Sequence, residues 1–273
     1  MHLLILRKNN MTDIANMNVY NSSMAKSLID KIFFMDKLDS SVTAIFDYGC
    51  ADGTLINFLA PLFPDMTFIG YDMNAEMICR AKEKNKAYEN TFFFDSLLDF
   101  ANWADERNLA KSHMAINLSS LIHEVYSYGT CESIDNFWEF VNDMGFEYIV
   151  IRDMALDTVA HRPSLKEDVL KVKQAYDPAL LADFENHHGS IYDNYNLIHF
   201  LMKYRYAENW EREVAENYLP LSVEDMAGHI SSKYELLYFD HYILPFLASV
   251  VKKDFDITLK DYTHVKFIYR RRR

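Results

Sequence analysis

Three carboxylates and two glycines carry the first chemical signal in this sequence of 273 residues. Asp47 runs into Tyr48-Gly49-Cys50-Ala51-Asp52-Gly53, an acidic residue followed by a glycine-bearing turn. Gly49 lets the backbone turn sharply without a Cβ clash, and Gly53 leaves room where a helix begins. The first turn of that helix presents free N–H groups to polar ligand atoms. Asp72 closes a second apolar run, Thr67-Phe68-Ile69-Gly70-Tyr71. Its two oxygens can accept a pair of vicinal hydroxyls such as those of a ribose. Asp95 closes a third run, Thr91-Phe92-Phe93-Phe94, where it can meet an adenine-like amino group. The implied chemistry is recognition of a polar, nucleoside-bearing small molecule.

These residues work together only if the elements before them are parallel strands of one sheet. The pattern fits. Strands are expected at 42–47, 67–72, 91–94, 113–118 and 147–153, as short apolar runs. Helices are expected between them at 54–62, 74–86, 97–106 and 134–144, with Pro64 stopping the first and Asn74 suiting the start of the second. Strands alternating with helices predict a parallel sheet covered on both faces, whose ligands sit at the carboxyl ends of the strands. Before this core, 15–38 reads as a helix, with Met24, Leu28, Ile32 and Met35 recurring at helical steps. After it, 155–232 is polar, aromatic and helical in pattern. Strands at 234–239 and 264–269 follow, separated by a helix at 244–252, and they can pair antiparallel at one edge of the sheet.

The expected fold is therefore α/β: a Rossmann-like, doubly wound, mostly parallel seven-stranded sheet with a helical insertion between strands 5 and 6. Its expected units are an N-terminal helical cap at 1–40, a ligand-binding core at 41–154, a helical insertion and substrate lid at 155–232, and closing strands at 233–273.

Composition narrows the partners. Half of the residues are hydrophobic and a quarter charged, which is a globular rather than a disordered balance. The formal net charge of −12 argues against broad binding to nucleic acid, which depends on neutralising phosphates. The basic run Arg270 to Arg273 reads as a solvated tail. Cys50, Cys79 and Cys131 stand far apart with no CxxC pair, so neither a zinc site nor a disulfide framework is expected, and reduced thiols fit a cytoplasmic setting. Met1 to Leu6 is too short for a signal core, and the apolar stretch 243–251, interrupted by Pro245, is too short to span a membrane.

The ordered set Asp47-Tyr48-Gly49-Cys50-Ala51-Asp52-Gly53, Gly70-Tyr71-Asp72-Met73, Phe94-Asp95-Ser96 and Ala115-Ile116-Asn117-Leu118-Ser119-Ser120 resembles class I S-adenosylmethionine-dependent methyltransferases. The resemblance covers the first 155 or so residues and, more weakly, the last two strands. It implies that Asp47 and Gly49 line the methionine moiety of S-adenosylmethionine. Ala51 and Gly53 would complete the turn, Asp72 would hold the ribose, and Met73 would pack on adenine. Asp95 and Ser96 would bind the adenine edge, with Asn117 and Leu118 beside the methionine part. Ala51 departs from the family's middle glycine. A nicotinamide-binding fold is the rival, but it prefers glycine where Ala51 and Thr54 stand, and Asp47 would repel a pyrophosphate.

His123 and Glu124 follow the fourth strand, where many relatives carry residues near the transferred methyl. One reading makes His123 a general base helped by Glu124 or Tyr126; the other makes it a helix cap or a backbone partner. Arg152 and Asp153 read as an ion pair at the mouth of the sheet, and the adjacent His187 and His188 diverge too much for a metal site. His264 reads as structural. Tyr192, Tyr195, Tyr204, Tyr206, Trp210 and Tyr218 form either a stacking lid or the insertion's own core. Tyr20 is a candidate for the pocket wall.

The resulting expectation is methyl transfer to a small-molecule acceptor, with no metal. RNA or protein acceptors stay open, as do aminopropyl transfer and a non-catalytic protein that keeps the fold. The Asn-Pro-Pro-aromatic motif of base-amino methyltransferases is missing, since Asn117-Leu118-Ser119-Ser120 stands in its place.

Overall fold

The computed structural model describes residues 28–273. The helix expected at 15–38 is described only from Leu28, where α1 (Leu28–Lys31) is followed by turns. The remainder of that expectation, with Tyr20 and Met24, lies outside the described residues.

A seven-stranded sheet organises the chain in the order β3-β2-β1-β4-β5-β7-β6. Its strands are β1 (Ala44–Tyr48), β2 (Thr67–Tyr71), β3 (Thr91–Phe94), β4 (Met114–Ser119), β5 (Tyr148–Met154), β6 (Tyr234–Tyr242) and β7 (His264–Arg271). Strands β1 to β5 pair in parallel, whereas β7 runs antiparallel to both β5 and β6. The sheet is thus mixed. The doubly wound dinucleotide order 3-2-1-4-5-6 is altered by insertion of β7 between β5 and β6.

The connecting helices are α2 (Thr54–Leu59), α3 (Ala75–Asn85), α4 (Leu97–Glu106), α5 (Ile122–Tyr128) and α6 (Cys131–Asp143). Capping residues set several of their starts. The Asn74 side chain accepts from the N–H groups of Glu76 and Met77, Ser96 accepts from Asp99, and Thr130 forms a capping box with Ser133.

All five residues of β1 are buried, because apolar layers cover both faces of the sheet. On one face Phe46 stacks on Phe100 at 4.2 Å between ring centres and Tyr48 meets Phe137. On the other, Ile45 packs with Phe34, Phe68 and Ile56. A fully buried Phe46 is worth about 3–5 kcal/mol against alanine, so β1 is held firmly where Asp47 leaves the core.

Between β5 and β6 the chain is helical: α7 (Lys166–Ala175), α8 (Pro178–His188), α9 (Asn194–Lys203), α10 (Trp210–Ala215) and α11 (Val223–Gly228). With α12 (Pro245–Phe255), α7 to α10 build a third apolar cluster that includes Tyr204, Trp210 and Tyr218, whereas Val223 and Met226 of α11 join the cluster of Phe46 and Phe100, and Tyr192 is exposed. Most of the aromatics are therefore that segment's own core.

The arginine run is not a loose tail. Arg270 and Arg271 belong to β7, and Arg270 pairs with Asp39 and with Glu147 at 3.0 Å. Arg271 donates to the Gly145 carbonyl, and Arg272 lies 3.7 Å from Glu235. Among the described residues no helix is long and apolar enough to cross a membrane.

Candidate functional site

One cavity opens at the carboxyl ends of β1, β2 and β4, beneath α1 and beside α5 and α10. Its first wall is the turn between β1 and α2. Gly49 takes φ +80°, which favours glycine, and a Cβ there would sit 2.6 Å from Leu121 Cδ1 and push that side chain aside. Ala51 also takes a left-handed conformation, φ +47°, which costs an alanine about 1–2 kcal/mol. Hydrogen bonds repay it. The Gly49 and Cys50 N–H groups donate to the Tyr71 carbonyl at 2.7 and 2.9 Å. The Ala51 N–H donates to Asp72 Oδ2 at 2.9 Å, and the Asn74 N–H to Asp72 Oδ1 at 2.8 Å.

Asp72 is therefore oriented by two backbone donors, one on each oxygen, with lone pairs left to face the cavity. Burial raises its pKa, and the two N–H donors act in the opposite direction. Met73, Asn74 and Met77 continue the wall beside it.

Asp47 leaves the end of β1 almost fully buried and accepts from Asn117 Nδ2 at 2.7 Å. Burial pushes its pKa up to about 6, while the Asn117 bond and the Lys31 ammonium hold it down. Lys31 comes from α1. It is buried, it lines the same wall, and burial lowers its pKa to about 8. The preceding residue fastens this helix: Asp30 accepts from Arg152 Nη2 at 2.8 Å, Tyr242 Oη at 2.6 Å and Lys266 Nζ at 2.5 Å. Lys31 was not among the residues singled out by type and spacing. The available signal was its place three residues after Leu28 and three before the fully buried Phe34, on the apolar face of a helix.

The far end of the cavity is built from side chains. Asp153, at the end of β5, accepts from the Leu121 and Ile122 N–H groups at 3.1 and 2.7 Å and so caps α5. Its other oxygen lies 2.6 Å from His123 Nδ1, and Glu216 Oε1 lies 3.1 Å from His123 Nε2. Burial opposes the charge on this imidazole, yet the two carboxylates outweigh it and raise the pKa to about 10.

His123, expected either as a general base or as a structural residue, is held between Asp153 and Glu216. The two carboxylates favour the doubly protonated imidazolium, and His123 is not on the cavity wall. It ties α5 to Asp153 of β5 and to Glu216, which follows α10. Arg152 and Asp153 likewise do not pair at the sheet's mouth, since they serve Asp30 and His123 respectively.

Glu124 does line the cavity, facing Arg212, whose Nη2 stands 3.6 Å from Glu124 and 3.7 Å from Glu216. Burial and the neighbouring Glu216 raise the Glu124 pKa to about 7, against the pull of His123 and Arg212. Tyr128 donates to Glu216 at 3.2 Å. The ligand atoms of His123, Glu124 and Glu216 lie within 4.8 Å of one another, a spacing open to a metal ion. An ion there would have to displace a proton from His123 and compete with Arg212.

Of the residues expected to bind the cofactor, Asp47, Gly49, Ala51, Asp72 and Met73 line the cavity. The others stand behind it or beside it. Gly53 is needed for packing, since a Cβ would come within 2.8 Å of Asn85 Nδ2 and 2.9 Å of Phe93. Asn117 orients Asp47, Leu118 is fully buried in the core, Ser96 caps α4, and Asp95 is exposed at the end of β3.

Residues 39–113 match the model of a methyltransferase domain family. Among solved structures, the plantazolicin methyltransferase BamL, solved with a triazolic desmethylPZN analogue and SAH, is 13% identical with a TM-score of 0.46 and covers 93% of this chain and 88% of its own. The methyltransferase domain of a bacterial Hen1 protein is 12% identical (TM-score 0.43; 93% of this chain, 98% of its own). The N-methyltransferase NodS of Bradyrhizobium japonicum WM9 is 10% identical (TM-score 0.39; 94% of this chain, 99% of its own). No curated protein matches the chain. The matched segment contains Asp47, the glycine turn, Asp72 and Asp95, and in it the chain is similar to methyltransferase domains.

Proposed function

We propose that the chain methylates a small molecule held at the Glu124–Arg212 end of the cavity, with Glu124 receiving the acceptor's proton. The observation that carries this reading is the continuity of the cavity, whose wall runs from Asp72 and Met73 past Asp47 and Gly49 to Glu124, Tyr128 and Arg212. The Asp72 carboxylate suits a ribose diol, the apolar Met73 and Met77 suit a purine, and Asp47 suits an ammonium. These are the groups of S-adenosylmethionine, which supplies an electrophilic methyl on a positive sulfonium.

The protein's task is then alignment, which supplies much of the rate of such a displacement. A carboxylate with its pKa near 7 is poised to take a proton from an amine or hydroxyl as it is methylated. Arg212 faces Glu124 and can hold an acidic group of the acceptor. On this reading residues 41–154 are the donor-binding core and 155–232 the lid, with Arg212 as the lid's contribution to the cavity. An RNA acceptor is disfavoured by the net charge of −12.

The test is titration calorimetry with S-adenosylmethionine and S-adenosylhomocysteine, wild type beside Asp72→Ala, with NAD in parallel. Binding of both adenosyl compounds, weakened roughly 100-fold by the substitution, is expected for a lost charge-assisted pair of bonds. Folded wild type that binds NAD and neither adenosyl compound overturns the reading. Product analysis separates methyl transfer, which leaves S-adenosylhomocysteine, from aminopropyl transfer, which leaves methylthioadenosine.

A further inference from the structure

The charges at the Glu124–Arg212 end of the cavity form a single row. Asp153 Oδ1 lies 2.6 Å from His123 Nδ1, and His123 Nε2 lies 3.1 Å from Glu216 Oε1. Glu216 Oε2 is 3.7 Å from Arg212 Nη2, which is 3.6 Å from Glu124 Oε1. The signs alternate and both ends are carboxylates, so three negative groups share two positive ones. Backbone completes the inner end, where Asp153 also accepts from the N–H groups of Leu121, Ile122 and Met154. The outer end is different. Asp153 is 1% exposed, Glu216 4%, His123 6% and Arg212 11%, whereas the Glu124 side chain keeps 31% of its surface open and lines the cavity. Its pair with Arg212 is longer than a hydrogen bond, and Lys31 on the same wall acts on Asp47 and Asp153 as well as on Glu124. The excess charge of the row thus sits where a bound molecule would meet it, beside the apolar Leu121, Val125 and Phe137. A partly desolvated carboxylate in that position favours a cation.

We propose that the acceptor is an amine on an apolar skeleton, captured as its ammonium by Glu124. The inference rests on the reading of this cavity as a methyl-transfer site, and it narrows the acceptor from an amine or hydroxyl to an amine. A neutral hydroxyl would leave the outer end of the row unmatched. The ammonium passes one proton to the Glu124 carboxylate and becomes a neutral amine. Its freed lone pair forms the nitrogen–carbon bond as the carbon–sulfur bond breaks, and the pair of that bond returns to sulfur. The product leaves as a methylated ammonium, and Glu124 releases its proton to solvent. A divalent metal is the rival occupant, since His123, Glu124 and Glu216 could ligate one, but it would need the His123 nitrogen that already faces Glu216.

The experiment presents the S-adenosylhomocysteine complex with n-propylamine and with n-propanol and reads binding by saturation-transfer NMR. It is run at about pH 8, above the Glu124 value of about 7 and low enough to keep an alkylamine protonated. Wild type is expected to prefer the amine by roughly 10-fold or more, the worth of a hydrogen bond to a charged group. Glu124→Gln, shown to be folded by its retained affinity for S-adenosylhomocysteine, should bring the two probes to within about threefold. If that variant does not fold, the comparison on wild type decides alone. Equal binding of the two probes by wild type, tighter binding of the alcohol, or no binding of the amine overturns the proposal. So does a preference that survives in folded Glu124→Gln. Zinc that binds one-to-one and expels the amine would assign the charge to a metal and overturn it as well. Wild type that binds no S-adenosylhomocysteine removes the methyl-transfer reading itself, which is a separate failure.

Discussion

The two ends of the cavity are built on different principles. At the donor end, Asp72 and the glycine turn are fixed by backbone: Ala51 and Asn74 donate to the carboxylate, and Gly49 and Cys50 donate to Tyr71. At the other end the fixing groups are side chains far apart in sequence. His123 is clamped between Asp153 and Glu216, and Glu124 faces Arg212. Backbone fixes a carboxylate cheaply and locally. A buried ionic network is costly to desolvate and depends on each of its members. One end of the cavity is thus fixed by main chain and the other by side chains, some of them from the helical segment.

The contrast breaks most sharply at Asp153. Replacing it with alanine leaves the imidazolium and the first N–H groups of α5 without their partner, and a loss of about 3–5 kcal/mol of stability is expected in urea denaturation. The next largest effect is catalytic. Glu124→Gln should lower kcat by about 100-fold or more while the dissociation constant of S-adenosylmethionine stays within about threefold. In the wild type the rate should climb as pH rises through about 7, where Glu124 gives up its proton, and the substitution should remove that limb. A variant that keeps the limb would assign it to another group.

The network should also leave its mark on stability. The folded pKa of His123, about 10, lies above its ordinary 6.5, so its contribution is complete below pH 6.5 and is lost as pH rises toward 10. Wild type should lose about 2–3 kcal/mol between pH 7 and 9, and His123→Asn should be flatter across that window when chemical denaturation is followed at each pH. The smallest effect belongs to the donor turn. Ala51→Gly relieves a left-handed alanine but loosens the unfolded chain, for a net gain of about 0.5 kcal/mol with donor affinity unchanged.

The same division explains what could be read before the structure. Strand ends, the glycine turn and Asp72 are legible because each is a local event, a few residues of pattern followed by a turn. Asn117 stands where a strand end was expected, and its role as Asp47's hydrogen-bond donor depends on β1 and β4 being neighbours. His123 was read as reactive because its position in the sequence is suggestive. The pair of carboxylates that turns it into a fixed cation comes from β5 and from Glu216 after α10, and nothing beside His123 announces them. Lys31 and Arg212 escaped for the same reason, since a basic residue on a helix gives no hint of which cavity it will face. Asp95 is a strand-end carboxylate that stays exposed and outside the cavity's lining. The arginine run was misread because composition cannot tell a solvated tail from a strand whose partners, Asp39 and Glu147, lie far upstream.

The place of β7 inside the sheet has a consequence for biosynthesis. As the chain leaves the ribosome, β5 emerges with one edge paired to β4 and the other bare, and its proper neighbour is about a hundred residues behind it. Strand β6 arrives first but docks only through β7, so it too must wait. An unpaired edge invites pairing with other chains. The helical segment made during that interval supplies Glu216, the carboxylate that later holds His123. A nascent chain stalled before residue 264 would therefore hold its glycine turn largely formed while one edge of β5 and the whole of β6 were still open to the wrong partner.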